Sequence, residues 1–250
     1  MRDVLLDARA VFWKERREFL TAKGWRSFSV QTLLLVVLFG VAMPYSQGPH
    51  WVSESYPLAF HFLFVPFIAT LPYVADAFAG ERERKTIESL LATGISEKGV
   101  FVGKCWAIWL VAYLQVLAVV LAGWIVLNIY NYVELELHSL SLYSPPASVL
   151  LLLGSASTVA LSTGLGVLIS LRSETVRGAQ QASGMLLLGI SIPLLFGLSR
   201  LIGPSGGFGW RAALGFTVGV GLAAYGMLRA GIAAFRRERL IIGGGRWAKS

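Results

Sequence analysis

A charged island lies at residues 80–104, GERERKTIESLLATGISEKGVFVGK, between two long apolar stretches. Glu81, Arg82, Glu83 and Arg84 alternate in sign, Glu88 follows, and Ile87, Leu90 and Leu91 share one helical face by the i, i+3, i+4 rule. The chemistry on offer here is recognition of a soluble partner. An exposed ion pair contributes roughly 0–1 kcal/mol, whereas burying an aliphatic side chain in a partner's groove contributes about 1.5–3 kcal/mol. Ile87, Leu90 and Leu91 are therefore expected to carry docking, with the charges setting register and partner choice. The plainer alternative is a solvated loop whose apolar side rests on headgroups. Such a connection needs only a few residues, yet this segment spends 25.

Catalytic and metal-binding groupings are not found elsewhere. Gly99-Val-Phe-Val-Gly103-Lys104-Cys105 falls one residue short of a phosphate-binding loop and has Cys where Ser or Thr would hold magnesium. His50, His61 and His138 are dispersed and lack metal-ligand spacing. Ser155, Ser157 and Ser162 have no visible base. No catalytic, cofactor-binding or metal-ligating residue is assigned, and the chain is not expected to be an enzyme. Cys105, the lone cysteine, reads as a small buried apolar residue.

These residues sit in a chain that is 55% hydrophobic, only 14% charged and of mean hydropathy +0.64. A soluble domain carries roughly 25% charged residues, so a polytopic membrane protein is expected. Six runs are long and apolar enough to span: Ser27–Tyr45, Tyr56–Ala77, Cys105–Val126, Ala147–Leu171, Gly178–Ile202 and Ala212–Leu228. Each must be helical, because backbone in hydrocarbon has to satisfy its own hydrogen bonds. Lys and Arg crowd the N-terminal segment, the island, Arg172 and Arg177, and the tail, while the alternate connections are nearly bare. Both termini and the island are thereby expected on the cytosolic side. The net charge of +8 is this positive-inside bias; no run interleaves basic and aromatic residues as a nucleic-acid surface would. Tyr45, Trp51, Tyr130, Tyr132, Tyr143 and Trp210 read as an aromatic belt at the outer span ends, with Asn128 and Asn131 interfacial.

Within the spans, polar groups are scarce. Asp76 precedes the island and is expected to pair with Arg82 or Arg84, or to cap the island, rather than to gate a substrate. Gln115 is central in the third span, where an interhelical hydrogen bond is the default reading and substrate contact the alternative. This poverty of titratable groups argues against a proton- or sodium-coupled carrier. Pro66, Pro72 and Pro193 should kink the second and fifth spans. Small residues in the fourth span, and Gly215, Gly219 and Ala223 in the sixth, should mark helix contacts.

Two elements must position the island. Upstream, residues 3–22 form an amphipathic helix (Val4, Ala8, Val11, Phe12, Phe19 and Leu20 against a charged second half) suited to the membrane surface. It reads as an anchor for the first span, as part of a docking surface, or as both. Its acidic residues and lack of a cleavage site are unlike a signal peptide. Downstream, Gly94 can end the island helix, and Ser96 can cap the next with Glu97 in its first turn.

The stretch AGERERKTIESLLATGISEKGVFVGK resembles the signature of permease subunits of type-2 ATP-binding-cassette exporters, with Gly80, Glu81, Arg82, Glu83, Thr86, Glu88, Leu90, Leu91, Thr93, Ser96, Gly103 and Lys104 at matching places. Lys85 and Gly94 depart from the usual small residue and proline. AVFWKERREFL, with Lys14 and Glu15, resembles the family's interfacial elbow. The resemblance implies an all-α integral membrane fold of six helices with both ends inside. Residues 1–26 would be the elbow, 27–235 the membrane domain with a coupling segment at 79–104, and 236–250 a basic cytosolic tail. It further implies a second copy or a homologous permease alongside, and a cytosolic ATPase holding the ATP and magnesium. The setting would be a prokaryotic cell membrane. An ion-coupled carrier or channel, and a non-transporting anchor or sensor on the same scaffold, are the rival readings.

Overall fold

In the computed structural model, the residues described are 2–20, 30–48, 50–53, 55–84, 95–136, 140–201 and 209–235, and no strand occurs among them. Helix α1 spans Arg2–Leu20. Helix α2 spans Val30–Gln47 and is π-helical over Val36–Ala42. A short α3, His50–Ser53, leads to α4, Ser55–Val74, which continues through a π-helical stretch, Ala75–Gly80, into a last turn, Glu81–Glu83. There follow α5 (Glu97–Glu134), α6 (Pro145–Ser170, π-helical at Leu150–Gly154), α7 (Val176–Leu201) and α8 (Trp210–Ala234). Five of these, α2, α4 from His61, α5, α6 and α8, are long and apolar enough to cross a membrane. Helix α7 has 26 residues and packs against α4 and α6.

The expected stripe on α1 is present, but it faces protein. Ala8, Val11, Glu15 and Phe19, at helical spacing, are buried. They lie against α5 because Gly99 and Gly103 leave no side chain in the way. A Cβ at Gly103 would stand 2.5 Å from the Ala8 carbonyl oxygen, and one at Gly99 would stand 2.5 Å from Asp7 Cβ. Small residues four apart let two helix backbones approach closely. The crossing also completes a helix cap. The Ser96 hydroxyl accepts from Gly99 N at 3.1 Å, as expected for an N-cap, and Ser96 N itself donates to Asp7 Oδ2 at 2.9 Å. A carboxylate from another helix thus does what the fourth residue of a capping box does within one helix. What α1 leaves outward is a second apolar set, Leu5, Leu6 and Trp13.

Pro72 in α4 cannot donate to the carbonyl of Ile68, four residues earlier. Gln31 of α2 supplies the missing bond, its Nε2 donating to Ile68 O at 3.1 Å and Ala69 O at 3.3 Å. Gln115 of α5 bridges the same two helices, donating to Thr32 Oγ1 at 2.6 Å and Tyr73 OH at 3.0 Å. Both amides face inward, where a polar side chain finds partners that lipid cannot offer.

The third helix runs from Glu97 to Glu134, so the uncharged run beyond Val126 stays helical. Asn128 Nδ2 donates to Ser141 O, Ser141 N donates back to Asn128 Oδ1, and Asn131 Nδ2 reaches Ser141 Oγ, stitching the following loop onto the helix. Trp51 and Tyr143 are not in an aromatic belt: Trp51 is buried on His61 and donates from Nε1 to Tyr143 OH. Tyr45, Tyr132 and Trp210 are exposed. Finally, Gly215 and Gly219 are not at a close helix contact, since a Cβ at either meets nothing within 4 Å. The tight approaches are at Gly154 on Phe62, Gly164 on Met227 and Gly231 on Phe101.

Overpacking a tight contact costs about 1–3 kcal/mol. Gly103→Ala is therefore expected to lower the thermal midpoint of the detergent-solubilised chain and to expose α1 to protease, while Gly219→Ala leaves both unchanged. The Ser96 backbone N–H, and then its hydroxyl, hold the Asp7 carboxyl below its ordinary value of 3.8. A depressed carboxylate supports the folded contact above the unfolded pKa and loses it as pH falls through the folded one. Protection of Ser96 N, measured against the intrinsic exchange rate at each pH, should accordingly fall below about pH 3.8, and Asp7→Asn should remove that pH dependence.

Candidate functional site

The island begins where α4 ends, and its first four charged residues all turn to other parts of the chain. Glu81 is buried, 6% exposed, although its neighbours in sequence are charged. It meets Lys104 of α5, which is 1% exposed and donates at 2.7 Å to Glu81 Oε1 and at 2.7 Å to Glu15 Oε1 of α1. Lys14 stands at the rim of this cluster, 3.4 Å from Glu15, 3.2 Å from Glu18 and 3.7 Å from Glu81. Burial disfavours the Lys14 ammonium, but the three carboxylates outweigh it and hold its pKa above the ordinary value. Three carboxylates, Glu15, Glu18 and Glu81, thus surround the two ammonium groups. The Phe78 ring lies 5.9 Å from Lys104 Nζ, and Phe78, Phe101 and Phe235 close the apolar wall beneath it.

Arg82 and Glu83 reach the connection between α6 and α7. Arg82 Nη1 donates to Ser173 O at 3.3 Å, and Val176 N, at the first turn of α7, donates to Glu83 Oε2 at 3.0 Å. The Thr175 hydroxyl takes the next free amide, Gly178 N, at 3.1 Å. Arg84 donates to Asp76 Oδ1 at 3.0 Å, over the face of Gly80, where a Cβ would sit 2.8 Å from that oxygen. The Arg84 guanidinium is depressed by partial burial, but its bond to Asp76 and the charges of Asp76, Glu81 and Glu18 raise its pKa on balance.

Of the residues singled out in the sequence, Glu81, Arg82, Glu83, Arg84 and Asp76 are brought together at this end, and Gln115 lies apart between α2, α4 and α5. Ile87, Glu88, Leu90 and Leu91 fall at 85–94, outside the described residues, as does the turn at Gly94. Sequence reasoning missed Glu15 as the second carboxylate on Lys104. The signal was there: an acid at position 15 interrupts the buried stripe of Ala8, Val11 and Phe19, and only a charge partner can satisfy it. The capping of α7 by Glu83 left no comparable mark, because it depends on where a distant turn comes to rest.

The arrangement has no nucleophile–base pair, and among the described residues no group of His, Cys, Asp and Glu could hold a metal. It ties α1, α4, α5 and the α6–α7 connection together around one charged turn. A family model described as ABC-2 family transporter protein matches residues 52–213, which takes in α4 to α7 and the whole island. The chain belongs to the ABC-2 transporter family. No curated protein matches it individually. As an ABC-2 protein it is a multi-pass membrane component of a transport system, and the charged turn lies within the matched region.

Removing one partner of a buried ion pair strands the other charge and costs about 3–5 kcal/mol, whereas replacing the whole group by apolar residues is often neutral. Lys104→Met is expected to lower the thermal midpoint and release α1 to protease. Adding Glu15→Met and Glu81→Met to it should restore most of the loss. A triple variant no more stable than the single one would show that packing, not charge, holds this end together.

Proposed function

We propose that this ABC-2 protein is the membrane-spanning permease subunit of an ATP-driven exporter, coupled through residues 79–104 to a separate cytosolic ATPase. The observation that carries the reading is the anchoring of the island at both ends inside a matched ABC-2 region. At one end Glu81 to Arg84 are tied to α1, α5, the α6–α7 turn and Asp76. At the other, Ser96 is tied to α1 and caps α5. The chain is thus fixed both before residue 85 and after residue 94, which is what a lever needs if force on it is to reach the membrane helices.

On this reading α7 also crosses, as the fifth of six spans, and both termini lie in the cytosol with the Lys and Arg residues that accompany the island. Two such membrane domains, identical or homologous, pack side by side in a prokaryotic cell membrane, each over one ATPase that holds the ATP and magnesium. The substrate passes between them. The bonds of Glu81–Arg84 within the chain, with Glu81 buried and Glu83 and Arg84 still at the surface, refine the division of labour expected from the sequence: those charges organise the permease, and Ile87, Leu90 and Leu91 are left to meet the ATPase. The scarcity of titratable groups in the spans suits an energy source outside the membrane.

Changing Ile87, Leu90 and Leu91 together to Ser is expected to abolish co-purification of the ATPase while membrane insertion and the thermal midpoint stay normal. Burial of three such residues is worth about 1.5–3 kcal/mol each, so affinity should fall by at least a thousandfold. Undiminished co-purification would refute the assignment of these residues to the interface.

A further inference from the structure

Helix α7 departs from the charged turn in a way the other helices do not. Its first backbone amide is held by Glu83, and the turn before it is held by Arg82 through the Ser173 carbonyl, so two adjacent island residues grip both sides of one connection. The grip is backed by close packing: Ala75 and Ala79, in the π-helical end of α4, form a buried contact with Ala179 in the first turn of α7. Farther along, α7 is packed on one face only, with Ser183, Leu187 and Ser191 buried and Leu187 seated among Phe67, Leu161 and Ala224. Met185, Leu188 and Ile192 are exposed, a Cβ at Gly184 or Gly189 would meet nothing within 4 Å, and Pro193 interrupts the backbone ladder. A helix pinned at its base and packed along a single face can tilt on that face as its base moves.

We infer that Arg82 and Glu83 are positioning residues that transmit the movement of the island to α7, by a route separate from the buried Lys104 cluster that serves α1 and α5. The inference rests on the exporter reading and adds to it a second output of the same lever. Arg82 restrains the end of α6 through a carbonyl, Glu83 restrains the start of α7 through an amide, and the aligned peptide dipoles of α7 favour the Glu83 carboxylate at that position. When the ATPase pulls on residues 85–94, the α6–α7 turn follows.

The test uses the full permease with its co-purified ATPase in lipid nanodiscs. Cys105 is replaced by Ala, and spin labels are placed at the exposed positions Met185→Cys on α7 and Leu114→Cys on α5. ATP with vanadate is expected to shift the distance between the labels. Glu83→Ala should abolish that shift while ATPase binding and ATP hydrolysis persist, and Glu83→Gln, whose amide oxygen still accepts from Val176 N, should keep it. Val176→Pro attacks the same bond from the other side: it deletes the amide at a helix position where proline is well tolerated, and it lies away from the island. It should abolish the shift too, and combining it with Glu83→Ala should add nothing. A full shift in Val176→Pro overturns the inference and leaves the exporter reading standing. Absence of a bound ATPase in the unmutated chain overturns both.

Discussion

A charge cannot be left unpaired away from water, and at the island end of this protein that constraint acts on three helices at once. Lys104, Glu15 and Glu81 come from α5, α1 and the last turn of α4, and all three side chains are withdrawn from solvent. None is tolerable alone, so the three segments assemble together or not at all. The rest of this end follows from their meeting. Helix α1 lies along the Gly99–Gly103 groove, Ser96 is capped from outside its own helix, and Glu81 draws the start of the island down against the membrane domain, where Arg82, Glu83 and Arg84 find the α6–α7 turn and Asp76.

Elsewhere the chain uses a different kind of cohesion. In hydrocarbon there is no hydrophobic drive between helices, so close packing and a few inward hydrogen bonds must serve. Gly154, Gly164 and Gly231 sit against Phe62, Met227 and Phe101, and Gln31 and Gln115 bind α2 to α4 and α5. Gln31 also satisfies the carbonyl that Pro72 leaves open, so the gap in the hydrogen-bond ladder of α4 is filled from α2. The polar hub and the packed bundle divide the protein into a stiff base and helices that differ in how firmly they are held above it.

Much of this was legible in the sequence, because hydrocarbon imposes strong patterns. Long apolar runs announced the helices, and Ser96 with Glu97 announced the start of α5. The alternation of charge at 81–84 announced a structured junction, although not that each of its charges bonds within the chain; a string of four ionisable residues looks wholly solvated until the groups facing it are known. Glu15 was readable as an acid within an apolar stripe, but its partner lies 89 residues away. Small residues were misleading at Gly215 and Gly219, since glycine permits a close approach without requiring one, and only the fold decides which glycines are used. Asn128 and Asn131 were read by depth alone, whereas their amides are spent on a loop whose path the sequence does not specify.

The central claim is that residues 79–104 present an apolar face to an ATPase while their flanking charges hold the permease together. Photo-crosslinking in the assembled complex tests it most directly, with a photoreactive amino acid placed singly at Leu90, Leu91 or Glu81. The expected result is covalent capture of the ATPase from positions 90 and 91, and capture only within the permease chain from position 81. ATPase captured from position 81 and from neither leucine would contradict the account.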